Sequence, residues 1–122
     1  MKTFLETVAR ICYEANRAYC HALGDRSAEM WLVAPNETKA SIKEGIEALM
    51  KNLSLTAEQA HEGWAAFKVK NGWKYGPKKN PARKEHPCLM PYDKLPESEK
   101  LKDYIFRGIV LGILQFEKEV LK

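Results

Sequence analysis

The chain has 122 residues, 45% of them hydrophobic and 30% charged, which excludes a disordered or fibrous segment and leaves room for one core, not two domains. Lys and Arg total 20 against 16 Asp and Glu, a formal charge of +4, so anionic partners are permitted without being demanded. Cys12, Cys20 and Cys88 follow neither a disulfide nor a zinc spacing, and Met1–Glu6 lacks a secretory apolar run, so a cytoplasmic protein is expected.

Helical periodicity first appears from about Thr3 to Leu23, with Phe4, Val8, Ile11, Ala15, Tyr19 and Ala22 on one stripe. Gly24 is placed to end this helix in a left-handed turn. The connection from Gly24 to Ala34 carries Trp31, an aromatic that packs back on the helices or lines a pocket. A second helix is expected from Pro35, whose fixed φ suits a first helical position; it carries Ile42, Ile46, Leu49 and Leu53 toward the core and ends near Asn52. A third follows Thr56, where Thr56 and Gln59 have capping-box spacing, with Ala60, Trp64 and Phe67 as its apolar stripe and Asn71-Gly72 as its stop.

From Asn71 to Leu95 there is no usable period, and the segment is rich in Gly, Pro, aromatics and Lys. Loops of this length inside compact domains are uncommon and, when ordered, usually functional. A fourth helix is expected from Pro96, with Glu97 and Glu99 facing the positive end of its dipole, running through Leu101, Ile105, Ile109 and Phe116. Phe106, Val110, Leu111 and Leu114 spread its apolar character over more than one face, so it is deeply buried or touches another chain. The apolar run Ile105–Leu114 is broken by Arg107 and too short to span a bilayer. No run alternates with a two-residue period, so no strand is expected. The predicted fold is therefore mainly α: four helices supporting a long ordered Gly/Pro/aromatic loop between the third and fourth.

No Asp or Glu occurs between Glu62 and Glu85, an interval carrying Lys68, Lys70, Lys74, Lys78, Lys79, Arg83 and Lys84. In Gly72-Trp73-Lys74-Tyr75-Gly76-Pro77 an extended backbone would send Trp73 and Tyr75 to the same side, so that both rings face one hollow. A nucleotide base needs flat apolar surfaces, and its phosphates need cations. Trp73 and Tyr75 are the candidates for the first requirement; Lys74, Lys78 and Arg83 for the second. Asn16, Arg17 and Tyr19 on the first helix, with His86 and Tyr92 on the loop, complete the rim if the loop folds back on that helix. Trp64 reads instead as a core anchor. His61-Glu62 lacks a second His four residues after the first, and no close Cys pair accompanies Cys20-His21 or His86-Pro87-Cys88, so no metal is expected. No nucleophile elbow, phosphate-cradling Gly loop or close carboxylate pair points to catalysis.

His61-Glu62-Gly63-Trp64, Gly72-Trp73-Lys74-Tyr75-Gly76-Pro77, His86-Pro87 with Leu89, and Pro91-Tyr92-Asp93-Lys94-Leu95-Pro96 with Lys100 together resemble the RyR domain. That domain occurs as repeats in ryanodine receptors and as single copies in bacterial and phage proteins. The resemblance covers residues 56–107 closely, and Ile11–Cys20 also looks like the leading helix of the stand-alone versions. It implies a small helical domain with a long ordered loop, no established catalytic activity, no cofactor, and an association with nucleotide binding through the aromatic loop. This chain departs from it in the basic Lys78–Lys84 stretch, where members often carry acidic residues.

A non-catalytic binder of a small anionic nucleotide or nucleotide-derived signal is therefore expected. The alternative is a protein-interaction module without a small-molecule ligand, docking on the loop or on the apolar end of the fourth helix, where a homo-oligomer contact is also possible. Nucleic acid is a weaker expectation, because no helix shows a basic reading face, and no membrane partner is expected.

Overall fold

The computed structural model describes residues 3–120 and is mainly helical, with four α-helices in chain order. α1 (Phe4–Ala22) starts where the Thr3 side chain accepts the Glu6 amide at 3.0 Å. It ends where Gly24, at φ +91°, turns the chain left-handed. There the Gly24 amide donates to the His21 carbonyl at 3.0 Å and the Asp25 amide to that of Cys20 at 2.9 Å, the bond pair that satisfies a helix's last carbonyls. Trp31–Val33 form one 3-10 turn before α2 (Asn36–Lys51), with Pro35 at its N-cap and Asn52 at its C-cap.

α3 (Ala57–Lys70) carries both bonds of the expected capping box. The Thr56 hydroxyl accepts the Gln59 amide at 3.1 Å, and the Gln59 side chain accepts the Thr56 amide at 2.9 Å. α4 (Glu97–Val120) follows a 3-10 turn over Tyr92–Lys94. None of the helices, over the described residues, is long and apolar enough to cross a membrane.

Core residues come from α1 (Val8, Ala9, Cys12 and Tyr13), from Trp31 and Ala34, from α2 (Ile46 and Leu49) and from α4 (Val110). Trp31 packs back on the helices, its ring edge-on to Tyr13 at 5.7 Å between centroids. The buried face of α1 is rotated from the one read in the sequence, since Phe4, Ile11 and Ala22 are exposed and Ala9, Cys12, Tyr13 and Cys20 are buried. The reason is that α1 packs against both α2 and α4, so its core wedge centres between two partners instead of on a single stripe. Leu53 is exposed because it lies past the end of α2, in the turn to α3. Arg107 of α4 braces that turn, donating to the Leu53 carbonyl at 2.9 Å and to that of Leu55. Phe106, Ile109, Leu111 and Leu114 of α4 are partly buried against the core, while Leu101 and Phe116 remain exposed.

A strand pair that the sequence did not predict lies in the long loop. β1 (Lys74–Tyr75) runs parallel to β2 (Glu85–His86), with Lys74 opposite Glu85 and Tyr75 opposite His86. Each strand is two residues long, too short to display any period. The pair is closed by Lys74 N donating to Lys84 O at 2.9 Å and Gly76 N to His86 O at 3.3 Å. Gly76 sits where a Cβ would stand 2.6 Å from the Glu85 Cβ. Gly76→Ala is expected to cost about 1–3 kcal/mol, because Gly76 is buried and the overlap is with the near end of the Glu85 side chain, so the strand pair itself must shift. A lowered urea midpoint with unchanged helical circular dichroism would show it; an unchanged midpoint would mean the strands separate freely.

Candidate functional site

The site grows from the C-terminus of α3. Gly72, at φ +89°, follows the Asn71 cap; its amide donates to the Val69 carbonyl at 3.0 Å, and the Trp73 amide donates to the Lys68 carbonyl at 2.9 Å. This closing motif characteristically brings the side chain of the last residue against that of the residue whose carbonyl it bonds. Here those residues are Trp73 and Lys68, and the Lys68 ammonium lies 4.6 Å from the centroid of the Trp73 ring. The indole Nε1–H donates to Glu37 Oε1 at 2.9 Å, fixing the loop to the first turn of α2.

Trp73 begins a continuous row of rings. Its centroid lies 6.2 Å from His86; His86 meets the edge of Trp64 at 5.0 Å; Trp64 stacks on His61 at 5.5 Å; and His61 lies 6.0 Å from Tyr92. Lys100 of α4 closes the far end, 5.3 Å over the Tyr92 ring. A lysine, Lys68 of α3 or Lys100 of α4, therefore caps each end of a five-ring row built from α3 and the loop, and each cation sits over the electron-rich face of its ring.

Hydrogen bonds fix both imidazoles. His61 Nε2–H donates to the Met90 carbonyl at 2.8 Å, and His86 Nδ1 accepts the Cys88 amide at 3.0 Å, which leaves the His86 proton on Nε2. Burial, reinforced by the charges of Lys79 and Lys68, pushes the His86 pKa down to about 4, so the ring is neutral at pH 7. The Cys88 thiol donates to Glu99 Oε1 at 3.1 Å, and Lys102 pairs with the same carboxylate at 2.8 Å. Burial and that acceptor push Cys88 up to about 12, which makes it an unreactive thiol. Burial raises the Glu99 carboxyl, but the hydrogen bonds from Lys102 and Cys88 outweigh it and hold Glu99 below its ordinary range.

The structure gathers some of the expected site residues and separates others. Trp73, His86 and Tyr92 belong to the ring row. Trp73 and Tyr75 do not share a hollow, because Trp73 is 8% exposed and Tyr75 is 55% exposed. Alternation fails here because the Trp73 amide still belongs to the end of α3 and the extended backbone begins only at Lys74. Lys74, Lys78 and Arg83 are exposed on the same loop as Tyr75. The α1 residues lie apart as struts. Arg17 donates to the Ala28 carbonyl at 3.2 Å and pairs with Glu14 at 2.9 Å, while Tyr19 donates to the Ser98 carbonyl at 2.9 Å. Asn16 is half-buried on the same helix.

Sequence reading missed His61, Lys68 and Glu37, and it assigned Trp64 wholly to the core, where the structure shows it half-buried within the row. Positions 61, 64 and 68 do share one face of α3 by helical spacing, so a signal existed, but polar residue types hid it. A shallow groove of about 610 Å³ opens between α1, α2 and α3, floored by Leu5, Ala40, Ala48 and Phe67 and edged by Lys43 and Glu47. It includes none of the ring-row residues.

Four helices around a small core, with a long hydrogen-bonded loop pinned by a buried tryptophan, define a helical domain whose distinguishing surface is the loop and not an enclosed cleft. The RyR domain model matches residues 34–116, and the chain belongs to that family. The match begins well before Thr56, so it includes all of α2, which supplies the Glu37 acceptor of the Trp73 indole.

Proposed function

We propose that this domain binds a small anionic nucleotide or nucleotide-derived signal without transforming it. One observation carries the reading: Tyr75 is exposed on a backbone held by strand pairing, within a loop whose side chains Lys74, Lys78, Lys79, Arg83 and Lys84 are all exposed and which carries no carboxylate from Asn71 to Lys84. Tyr75 supplies a stacking face and the surrounding cations a phosphate field. Trp73 anchors this platform from below instead of forming its second wall.

Titration calorimetry against adenine nucleotides and cyclic dinucleotides tests the reading. Saturable heat is expected, and Tyr75→Ala is expected to weaken binding about tenfold, since stacking on an aromatic is worth roughly 1 to 3 kcal/mol per base. Helical circular dichroism and melting should be unchanged in that variant. No heat at millimolar ligand would replace this reading with the protein-interaction one.

The second reading is favoured by the outward face of α4, where Leu101, Tyr104 and Phe116 are exposed together with Gly108 and Gly112. Light scattering that gives twice the monomer mass, reversed by Phe116→Glu, would support a contact between copies there.

A further inference from the structure

α4 packs on α1, α2 and α3 through one side, centred on Val110, which is fully buried in the core. At about 100° per residue, Gly108 and Gly112 stand within about 20° of the line diametrically opposite Val110, and both are exposed. Leu101 and Glu119 fall on that line and are exposed as well. Tyr104 and Phe116, 59% and 63% exposed, flank it at the two ends.

Nothing inside the domain requires these glycines. Neither has a positive φ, and a Cβ added at either would meet no atom within 4 Å. Glycine at an exposed position inside a helix weakens that helix relative to alanine. Its structural advantage there is a bare backbone that another helix can approach closely.

The pattern itself selects the occupant. Tyr104, Gly108, Gly112 and Phe116 follow one another at steps of four, and the order aromatic, glycine, glycine, aromatic reads the same from either end. A two-fold axis at position 110 therefore sets two copies of α4 antiparallel, each Gly108 against Gly112 of the other copy and each Tyr104 against Phe116. A parallel pair would stack Glu97 on Glu97 and Glu119 on Glu119 and align the two helix dipoles, whereas the antiparallel pair sets Glu119 opposite Leu101 and opposes the dipoles. The exposed parts of the two rings and Leu101 amount to roughly 350 Å² per copy. With the glycine backbone and Gln115, two copies bury on the order of 1,000 Å², the lower limit for a specific interface.

We propose that α4 pairs with α4 of a second copy, antiparallel about Val110, along a seam of Gly108 and Gly112 closed at each end by Tyr104 against Phe116. The buried area fits a transient dimer, with a dissociation constant on the order of 100 μM. The proposal rests on the self-association reading and gives it an orientation.

Sedimentation equilibrium tests the association and cross-linking tests the orientation. The mass is expected to rise from one copy toward two between about 10 μM and 1 mM. Gly108→Leu and Gly112→Leu should each abolish the rise, with a melting temperature at the lower concentration equal to the parent's or higher, because an exposed helical glycine has been removed. A short bismaleimide should join Leu101→Cys to Glu119→Cys when the two variants are mixed, and neither variant to itself. The parent sets the background, since Cys12 and Cys20 are buried and Glu99 holds the Cys88 thiol. Dimers that cross-link Leu101→Cys to itself, or that persist in both leucine variants, would overturn the antiparallel glycine seam and leave self-association standing. A mass fixed at one copy up to 1 mM would overturn both.

Discussion

Replacing Trp73 with alanine is expected to destabilise the domain by about 3–5 kcal/mol, against a change within about 0.5 kcal/mol for Tyr75→Ala two residues away. Trp73 is buried and joins three elements: its ring lies under the Lys68 ammonium of α3, its Nε1 donates to Glu37 of α2, and its centroid lies 6.2 Å from the His86 ring of β2. Truncation removes the packing, the indole bond and the contact of the Lys68 ammonium with the ring together. Tyr75 is more than half exposed, so its loss empties no cavity. Trp73→Phe separates the two contributions; it should recover the ring packing and leave a deficit of about 1–2 kcal/mol from the unmade bond to Glu37. Urea midpoints for the three variants check the ordering. Equal midpoints for Trp73→Ala and Tyr75→Ala would mean that the indole is not the anchor of the loop.

The contrast between these neighbours also shows what local sequence can reveal. Helix ends were legible because their signals are confined to a few residues. Thr56 and Gln59 cap each other, and Gly24 and Gly72 adopt the positive φ that their positions as helix stops require. Capping depends only on the nearest turn. The buried face of α1 was less legible, because which flank sinks inward depends on the placing of α2 and α4. Side-chain roles in the loop were least legible. Alternation presumes a strand, yet Trp73 belongs to the end of a helix, and β1 exists only because the chain returns at Glu85 and His86 to pair with it. Lys68 and His61, the two buried polar residues among those described, carry residue types that a hydrophobic pattern assigns to water. Their burial follows from the aromatic residues Trp73, Trp64 and Tyr92 around them, which are brought together by tertiary contacts and not by spacing.

The same crowding sets an opposed pair of titrations. Burial, with Lys79 and Lys68, lowers His86 from 6.5 to about 4, whereas burial raises Asp103 of α4 from 3.8 to about 6. For His86 the unfolded chain takes up the proton first, so stability present above pH 6.5 is lost as pH falls toward 4. For Asp103 the folded chain holds the proton longer, so stability present below pH 3.8 is lost as pH rises through 6. Each shift corresponds to about 3 kcal/mol before solvent screening and about 2 kcal/mol after it, since both groups are only partly buried. Between pH 4 and 6 the two nearly cancel. His86→Asn, whose amide oxygen can still accept the Cys88 amide, should therefore gain about 2 kcal/mol relative to the parent between pH 7 and pH 4. Asp103→Asn should be about 2 kcal/mol more stable than the parent at pH 7 and lose that advantage by pH 4. Urea unfolding at the two pH values measures both differences. Parallel pH dependences for the parent and both variants would mean that neither group is held away from its ordinary protonation by the fold.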